Sequence, residues 1–281
     1  RAAHASTVSP SMNSQKLFIS AALLASLPLV ANVAAAAEPA QRAVQATNFS
    51  LGLIASDSDT KDSTSNGTFG LGGVATMPVG DLFGASLSGS YSRTTARTSD
   101  VLFDVASQTS SRQTCRFNNA DAAVSVFARK PTLGRISASY GKGNVTSDCG
   151  DESVFVSTGE DTMGIDYYRV GAEAYLGDFT FGAVHTSTEP EDGAKLESDI
   201  FSASWYPLDS LKVTLSGGDL YKQDTYGIEI EHQPEFMGES LGVALGYSVI
   251  DRDQRIGTIN FSVVFHFGTK VELKTRDRQY R

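Results

Sequence analysis

From about residue 47 onward the chain alternates with a period of two, and it does so in segment after segment. Phe83, Ala85, Leu87, Gly89 and Tyr91 are mostly apolar or aromatic, whereas Gly84, Ser86, Ser88 and Ser90 between them are small or polar. Tyr168, Val170, Ala172, Ala174 and Leu176 alternate in the same way with Arg169, Gly171, Glu173 and Tyr175. So do Ile259, Phe261, Val263, Phe265 and Phe267 with Asn260, Ser262, Val264 and His266. Successive residues of a strand point to opposite faces, so each segment presents one greasy face and one small, polar face. A soluble sandwich also alternates, but it turns its apolar face inward and leaves charges on the other. Here the second face is largely Gly, Ser, Ala and Thr, which fits a sheet whose outside meets lipid and whose inside meets water or polar groups.

About twelve such segments follow one another, near 47–56, 68–77, 82–93, 119–129, 133–141, 162–176, 179–186, 198–206, 211–217, 225–232, 240–250 and 256–268. Connections alternate between short turns rich in Pro, Gly and Asp and longer polar stretches near 57–67, 94–118, 142–161, 187–197, 218–224 and 251–255. The fold expected is therefore all-β, a transmembrane antiparallel up-and-down barrel over 47–268 with about twelve strands; ten or fourteen also satisfy the pattern. Outward aromatic residues sort into two bands. Tyr91, Tyr140, Tyr168, Tyr226 and Tyr247 fall toward the long-loop ends, and Phe83, Phe179, Trp205 and Phe267 toward the short turns, as interfacial girdles would.

The segment before the barrel has the layout of an export signal: Lys16, an apolar run from Leu17 to Val30, then Ala34 to Ala37. A signal peptide over 12–37 is expected, cut after Ala37, with 1–11 an upstream extension and 38–46 a short periplasmic segment. An uncleaved anchor is the alternative, disfavoured by Pro28 and the small residues at the end. Export leads to the bacterial outer membrane. The formal charge of −9 argues against nucleic acid as a partner, because phosphate binding needs clustered Lys and Arg. Four histidines and two cysteines offer no second ligand at metal spacing, so neither metal nor cofactor is expected. Cys115 and Cys149 fall in the second and third long loops, where a disulfide between them is expected in an oxidising compartment.

On the signal peptide, the alternation and the last strand Ile259–Phe267, residues 47 to 268 resemble the outer-membrane β-barrel proteins of Gram-negative bacteria as a broad, porin-like class. The resemblance implies outer-membrane lipid as surroundings and a final strand, ending in an aromatic residue, that the barrel-assembly machinery reads. The chain departs from that pattern in carrying Gly268 to Arg281 after the final Phe. This basic stretch, 269–281, is expected to hang as a disordered periplasmic tail able to touch an envelope partner.

The inward charges are then Arg129, Arg135, Arg169, Glu173, Lys212, Glu229 and Glu231. Arg129, Arg135 and Glu173 stand at similar height, and the cluster reads equally as a neutralised polar core or as a selectivity constriction. Acidic long loops hold essentially all the net charge. The function expected is a passive channel for small hydrophilic solutes or ions, not an enzyme; a non-conducting structural or surface-interaction barrel is one alternative. A lipid hydrolase is another. His185 and Ser187 share the lipid face of one strand, with Asp199 or Glu197 across the loop to orient the imidazole. This resembles the His-x-Ser arrangement of outer-membrane phospholipase A, although that family's Asn partner has no clear counterpart.

Overall fold

In the computed structural model the described residues are 42–60, 65–104, 109–148, 162–191, 193–251 and 255–280. Twelve strands run in chain order: β1 (Asn48–Thr60), β2 (Ser65–Val79), β3 (Phe83–Asp104), β4 (Thr109–Lys130), β5 (Gly134–Asp148) and β6 (Thr162–Leu176). There follow β7 (Phe179–Pro190), β8 (Leu196–Leu208), β9 (Leu211–Leu220), β10 (Asp224–His232), β11 (Leu241–Asp251) and β12 (Ile256–Phe267). Each pairs antiparallel with its neighbour in sequence. β1 closes the barrel against β12, from Phe49 opposite Phe267 to Thr60 opposite Ile256.

Closure leaves the sheet without an edge, which a bilayer demands because lipid offers no partner to an unpaired N–H or C=O. The apolar parity faces outward: Leu87, Val124, Ile136, Val170, Phe201, Leu215 and Ile259 are each more than half exposed. Phe83 and Tyr91, the two interfacial aromatic residues of β3 singled out above, are eight residues apart. That is about 26 Å along the strand and roughly 20 Å after a tilt of about 40°, close to the apolar band of an outer-membrane barrel. The outward Ser187 departs from this exposure, as Leu241 and Val249 on β11 also do. It is buried under its neighbours at 7% exposure, although its parity matches that of the half-exposed His185.

Two expectations about the ends of the strands give way. The long polar connections are mostly paired strand: β3 and β4 are 22 residues each and stay paired to Asp104 opposite Thr109, with one register shift between Arg97 and Val101. Antiparallel pairing continues past the lipid because backbone hydrogen bonds do not need an apolar outer face, whereas the alternation signal does. The expected disordered tail is folded as well. After a turn at Gly268 (φ 116°), the chain re-enters the short-turn end of the barrel and forms a short helix, α1 (Leu273–Gln279). Val271, Leu273, Arg276 and Tyr280 are buried there. The assignments of 94–104 and 109–118 to a loop and of 269–280 to a free tail are corrected by these observations.

Candidate functional site

The bore is a stack of layers, and each takes its chemistry from the inward parity of the strands. At the short-turn end the bore is filled by the segments that flank the barrel: residues 43–44, expected as part of a short periplasmic segment, and 271–280. Ala43 and Val44 are fully buried; the Ala43 N–H donates to the Asp81 carbonyl at 2.7 Å, and the Arg129 guanidinium donates to the Ala43 carbonyl at 3.1 Å. Arg129 and Arg135 each stand 4.8 Å from the centre of the Phe127 ring, whose edge covers Gly84. Any larger residue at Gly84 would place its Cβ 2.3 Å from that ring. Arg135 pairs with Glu173 at 3.7 Å, and the Tyr175 hydroxyl donates to the same carboxylate at 2.8 Å. Arg129, Arg135 and Glu173 thus form one cluster around an aromatic ring.

A second cluster holds α1. Lys212 is paired with Glu231 and, at 3.2 Å, with Asp277, all three buried; the Tyr206 hydroxyl donates to Asp277 at 2.6 Å. Sequence reading placed Lys212 and Glu231 on the lumen wall, but it missed that their partner comes from the tail. The pairing of β8 and β9 shifts register between Trp205 and Leu208, and the residues there point to opposite sides: Trp205 is exposed outside, Tyr206 buried inside and Leu208 exposed again. Beyond this cluster the Gln233 amide donates to the Val271 carbonyl at 2.9 Å. Arg278 donates to the carbonyls of Gly177 and Phe179 at 2.6 and 2.7 Å. Lys274 reaches Asp178 at 2.7 Å and Asp209 at 3.2 Å. That ammonium holds the Asp178 carboxyl below its ordinary value, and the same contact raises Lys274. Burial, with Asp209 nearby, pushes the Glu272 carboxyl up.

The middle of the bore is lined mainly by small and hydroxylic residues: Ser50, Gly52, Gly70, Gly72, Ser86, Ser88, Ser137, Ser139, Gly171, Ser202 and Ser204, for instance. Hydroxyls pair across strands, as Ser125 does with Ser139 at 2.7 Å and Ser204 with Thr214 at 2.9 Å. Toward the long-loop end, Tyr167 lies over Gly141, directly opposite in register; a Cβ at Gly141 would come within 2.3 Å of the ring. The Tyr167 hydroxyl donates to Asp121 at 3.0 Å, and Ser90 bonds the other oxygen of that carboxylate. Asp121 is an inward charge that the sequence reading overlooked, although it shares the parity of Arg129. Arg169 stands 5.6 Å from the centre of the Tyr167 ring. Tyr221 joins them from the connection between β9 and β10, where Tyr221 and Lys222 take φ of 55° and 65°. Left-handed backbone at non-glycine residues costs on the order of 1 kcal/mol each.

Above this layer the inward face turns apolar. Ala96, Cys115, Phe117, Val145 and Ile165 form one buried group on β3 to β6, and Leu220, Ile250 and Ile256 another on β9, β11 and β12. Cys115 is thus part of a lumen-side apolar layer; Cys149 lies outside the described residues, one position beyond Asp148, which pairs with Arg116. Glu229 is inward and half-buried on β10, opposite Thr214 and Gly246.

On the outer face all nine aromatic residues singled out above are exposed, between 41% and 56%. Tyr140 and Tyr168 sit 5.1 Å apart across β5 and β6, and Phe49 and Phe267 sit 5.5 Å apart across the closing seam. His185 Nδ1 lies 2.9 Å from Asp199 Oδ1, directly opposite in register. The buried Ser187 Oγ has no hydrogen-bond partner among the described residues, so the imidazole and the hydroxyl share a face without being bonded. From His185 one lateral row of outward positions runs through Asp199, Asp219, Asp224 and Asp251. Among the described residues no group of three or more His, Cys, Asp or Glu is arranged to hold a metal ion.

No family model matches the chain, and no curated protein sequence matches it. Solved structures do match in shape. The β-domain of the Bordetella autotransporter BrkA gives a TM-score of 0.52 at 7% identity, over 79% of this chain and 99% of that one. The translocator domain of the autotransporter NalP from Neisseria meningitidis gives 0.51 at 10% identity, over 78% and 88%. The KdgM porin gives 0.47 at 8% identity, over 77% and 99%. At such identities the likeness is one of fold, that of the closed outer-membrane β-barrel.

Proposed function

We propose that this chain is a porin-like channel of the bacterial outer membrane, passing small hydrophilic solutes or ions through a bore that the segments flanking the barrel narrow at the short-turn, periplasmic end. The reading is carried by one observation: the mid-barrel wall of a twelve-stranded bore is built from Ser, Thr and Gly, too small to fill it. Eight strands make a barrel that side chains just fill, and each added strand widens it. On this reading the exposed Tyr and Phe/Trp bands sit at the two lipid interfaces, an export signal directs the chain there, and the barrel-assembly machinery receives the β12 strand. The oxidised pair Cys115–Cys149 would tie β4 to the connection after β5, supported by the register of Arg116 with Asp148.

The test is single-channel recording of the refolded chain in a planar bilayer. Discrete steps are expected, with a reversal potential under a salt gradient that reports the sign of the selecting charge. A silent membrane with a barrel shown folded by heat-modifiable gel migration would reject the reading in favour of a closed, surface-interaction barrel.

The contact between His185 and Asp199 favours a second reading, hydrolysis of lipid at the outer face, with Ser187 as nucleophile. It requires that His185 Nε2 reach Ser187 Oγ. Fatty-acid release from phospholipid micelles that disappears in Ser187→Ala would establish it, and no release by the intact chain would remove it.

A further inference from the structure

Arg169 differs from the other inward cations: like the fully enclosed Arg129 it lacks a carboxylate partner among the described residues, yet it is still partly exposed. Arg135 pairs with Glu173, Lys212 with Glu231 and Asp277, and Arg129 meets a backbone carbonyl. Among the described residues no carboxylate lies within ion-pair distance of Arg169, and its buried Nε is bonded to nothing there. The side chain is partly exposed to the bore. Its surroundings are built rather than open. Tyr167 is fixed over Gly141 by Asp121, which Ser90 also holds. Tyr221 is brought in on strained backbone, its hydroxyl meeting Thr188 within the electrostatic reach of Arg169. Thr186 and Ser139 flank Arg169 in register on either side.

A guanidinium that faces the bore without an ion-pair partner keeps its donors free for a visiting anion. Its planar fork matches a carboxylate, which takes two parallel N–H bonds, while neighbouring hydroxyls satisfy the remaining lone pairs. We propose that Arg169, walled by Tyr167 and Tyr221, is a binding station in the bore for small organic carboxylates. This rests on the channel reading and names the solute class it would favour.

The test uses the full refolded chain, potassium chloride as carrier and potassium succinate as probe. Succinate added on the long-loop side should block the chloride current saturably. Arg169→Gln should raise the half-blocking concentration at least tenfold; Arg169→Lys, which keeps the charge and loses the fork, should fall between. Heat-modifiable migration confirms that each variant is folded, and the Lys variant serves if the Gln variant is not. Calorimetric titration of succinate into the detergent-solubilised chain separates the two readings. Saturable heat lost in Arg169→Gln, with no conductance steps from the intact chain, would keep the station and reject the channel. Steps with neither block nor heat would keep the channel and reject the station. Equal block by inorganic phosphate would overturn the carboxylate assignment, since charge alone would then suffice.

Discussion

The two ends of the bore are lined by different chemistry. At the short-turn end much of the filling is ionic: Lys212, Glu231, Asp277, Arg278 and Lys274 bind the C-terminal helix to the strand wall and to the turns at Asp178 and Asp209, beside the buried Val271, Leu273 and Tyr280. At the long-loop end the inward layer is hydrocarbon, with Phe117, Val145 and Ile165 packed on one side and Leu220, Ile250 and Ile256 on the other. Burying an apolar side chain stabilises by about 1.5–3 kcal/mol. A buried ion pair returns little net stability, because desolvation offsets most of the attraction, yet it is severe when one partner is lost. The hydrocarbon end is therefore the fixed end. The ionic end holds a specific geometry at low net gain, and it is the end built to let go.

Cutting the chain after Gly268 tests this most directly: conductance should rise several-fold, measured in the same bilayer assay, because α1 leaves the mouth. Unchanged step size would mean that the helix does not limit the path. Next in size is Lys212→Met, which leaves Glu231 and Asp277 facing each other in a buried site. It should lower stability by about 3–5 kcal/mol in urea unfolding, with larger conductance steps. Phe117→Ala sharpens the contrast from the other side. It should cost about 3 kcal/mol of stability through its cavity while leaving conductance near that of the intact chain, and an opened channel would dissolve the distinction between the mouths.

The smallest effect is one of pH. Asp178 is held below its ordinary value of 3.8 by Lys274, so this contact contributes fully above that value and is lost as pH falls through the depressed one. Lys274 is raised from 10.5, so its contribution is present below that value and lost as pH rises through the raised one. Conductance traces should therefore be quiet between these limits and noisier outside them, most clearly on the acid side. Lys274→Met should be noisy throughout.

The barrel itself was legible in the sequence because lipid imposes it. An outward residue in the apolar band must be greasy, so twelve strands announce themselves with the period of the pleat, and the closing pair β1 and β12 follows from the even count. Beyond the band that pressure ends, and the outer halves of β3 and β4 read as polar loop although they are paired. The tail was illegible for a different reason. α1 is seven residues long and its partners, Asn48, Lys212, Tyr206 and the turn at Asp178, are scattered through the chain, so no local period marks it. Of the site, Arg129, Arg135 and Glu173 could be grouped by height on adjacent strands. Asp121 carried the same parity signal and was passed over, and Tyr221 could not be found, because it enters from a connection whose course depends on two left-handed residues.

The seam between β1 and β12 gives the tail a role in time as well as in space. Tyr280 is reached by Asn48 at the start of β1, while Lys274 and Arg278 grip turns far around the circumference. Those partners come within reach of one short helix only after the first and last strands have met. Residues 268–280 are thus the last piece to settle, and their docking marks a barrel whose ring is complete, as a clasp shuts only on a bracelet already brought round.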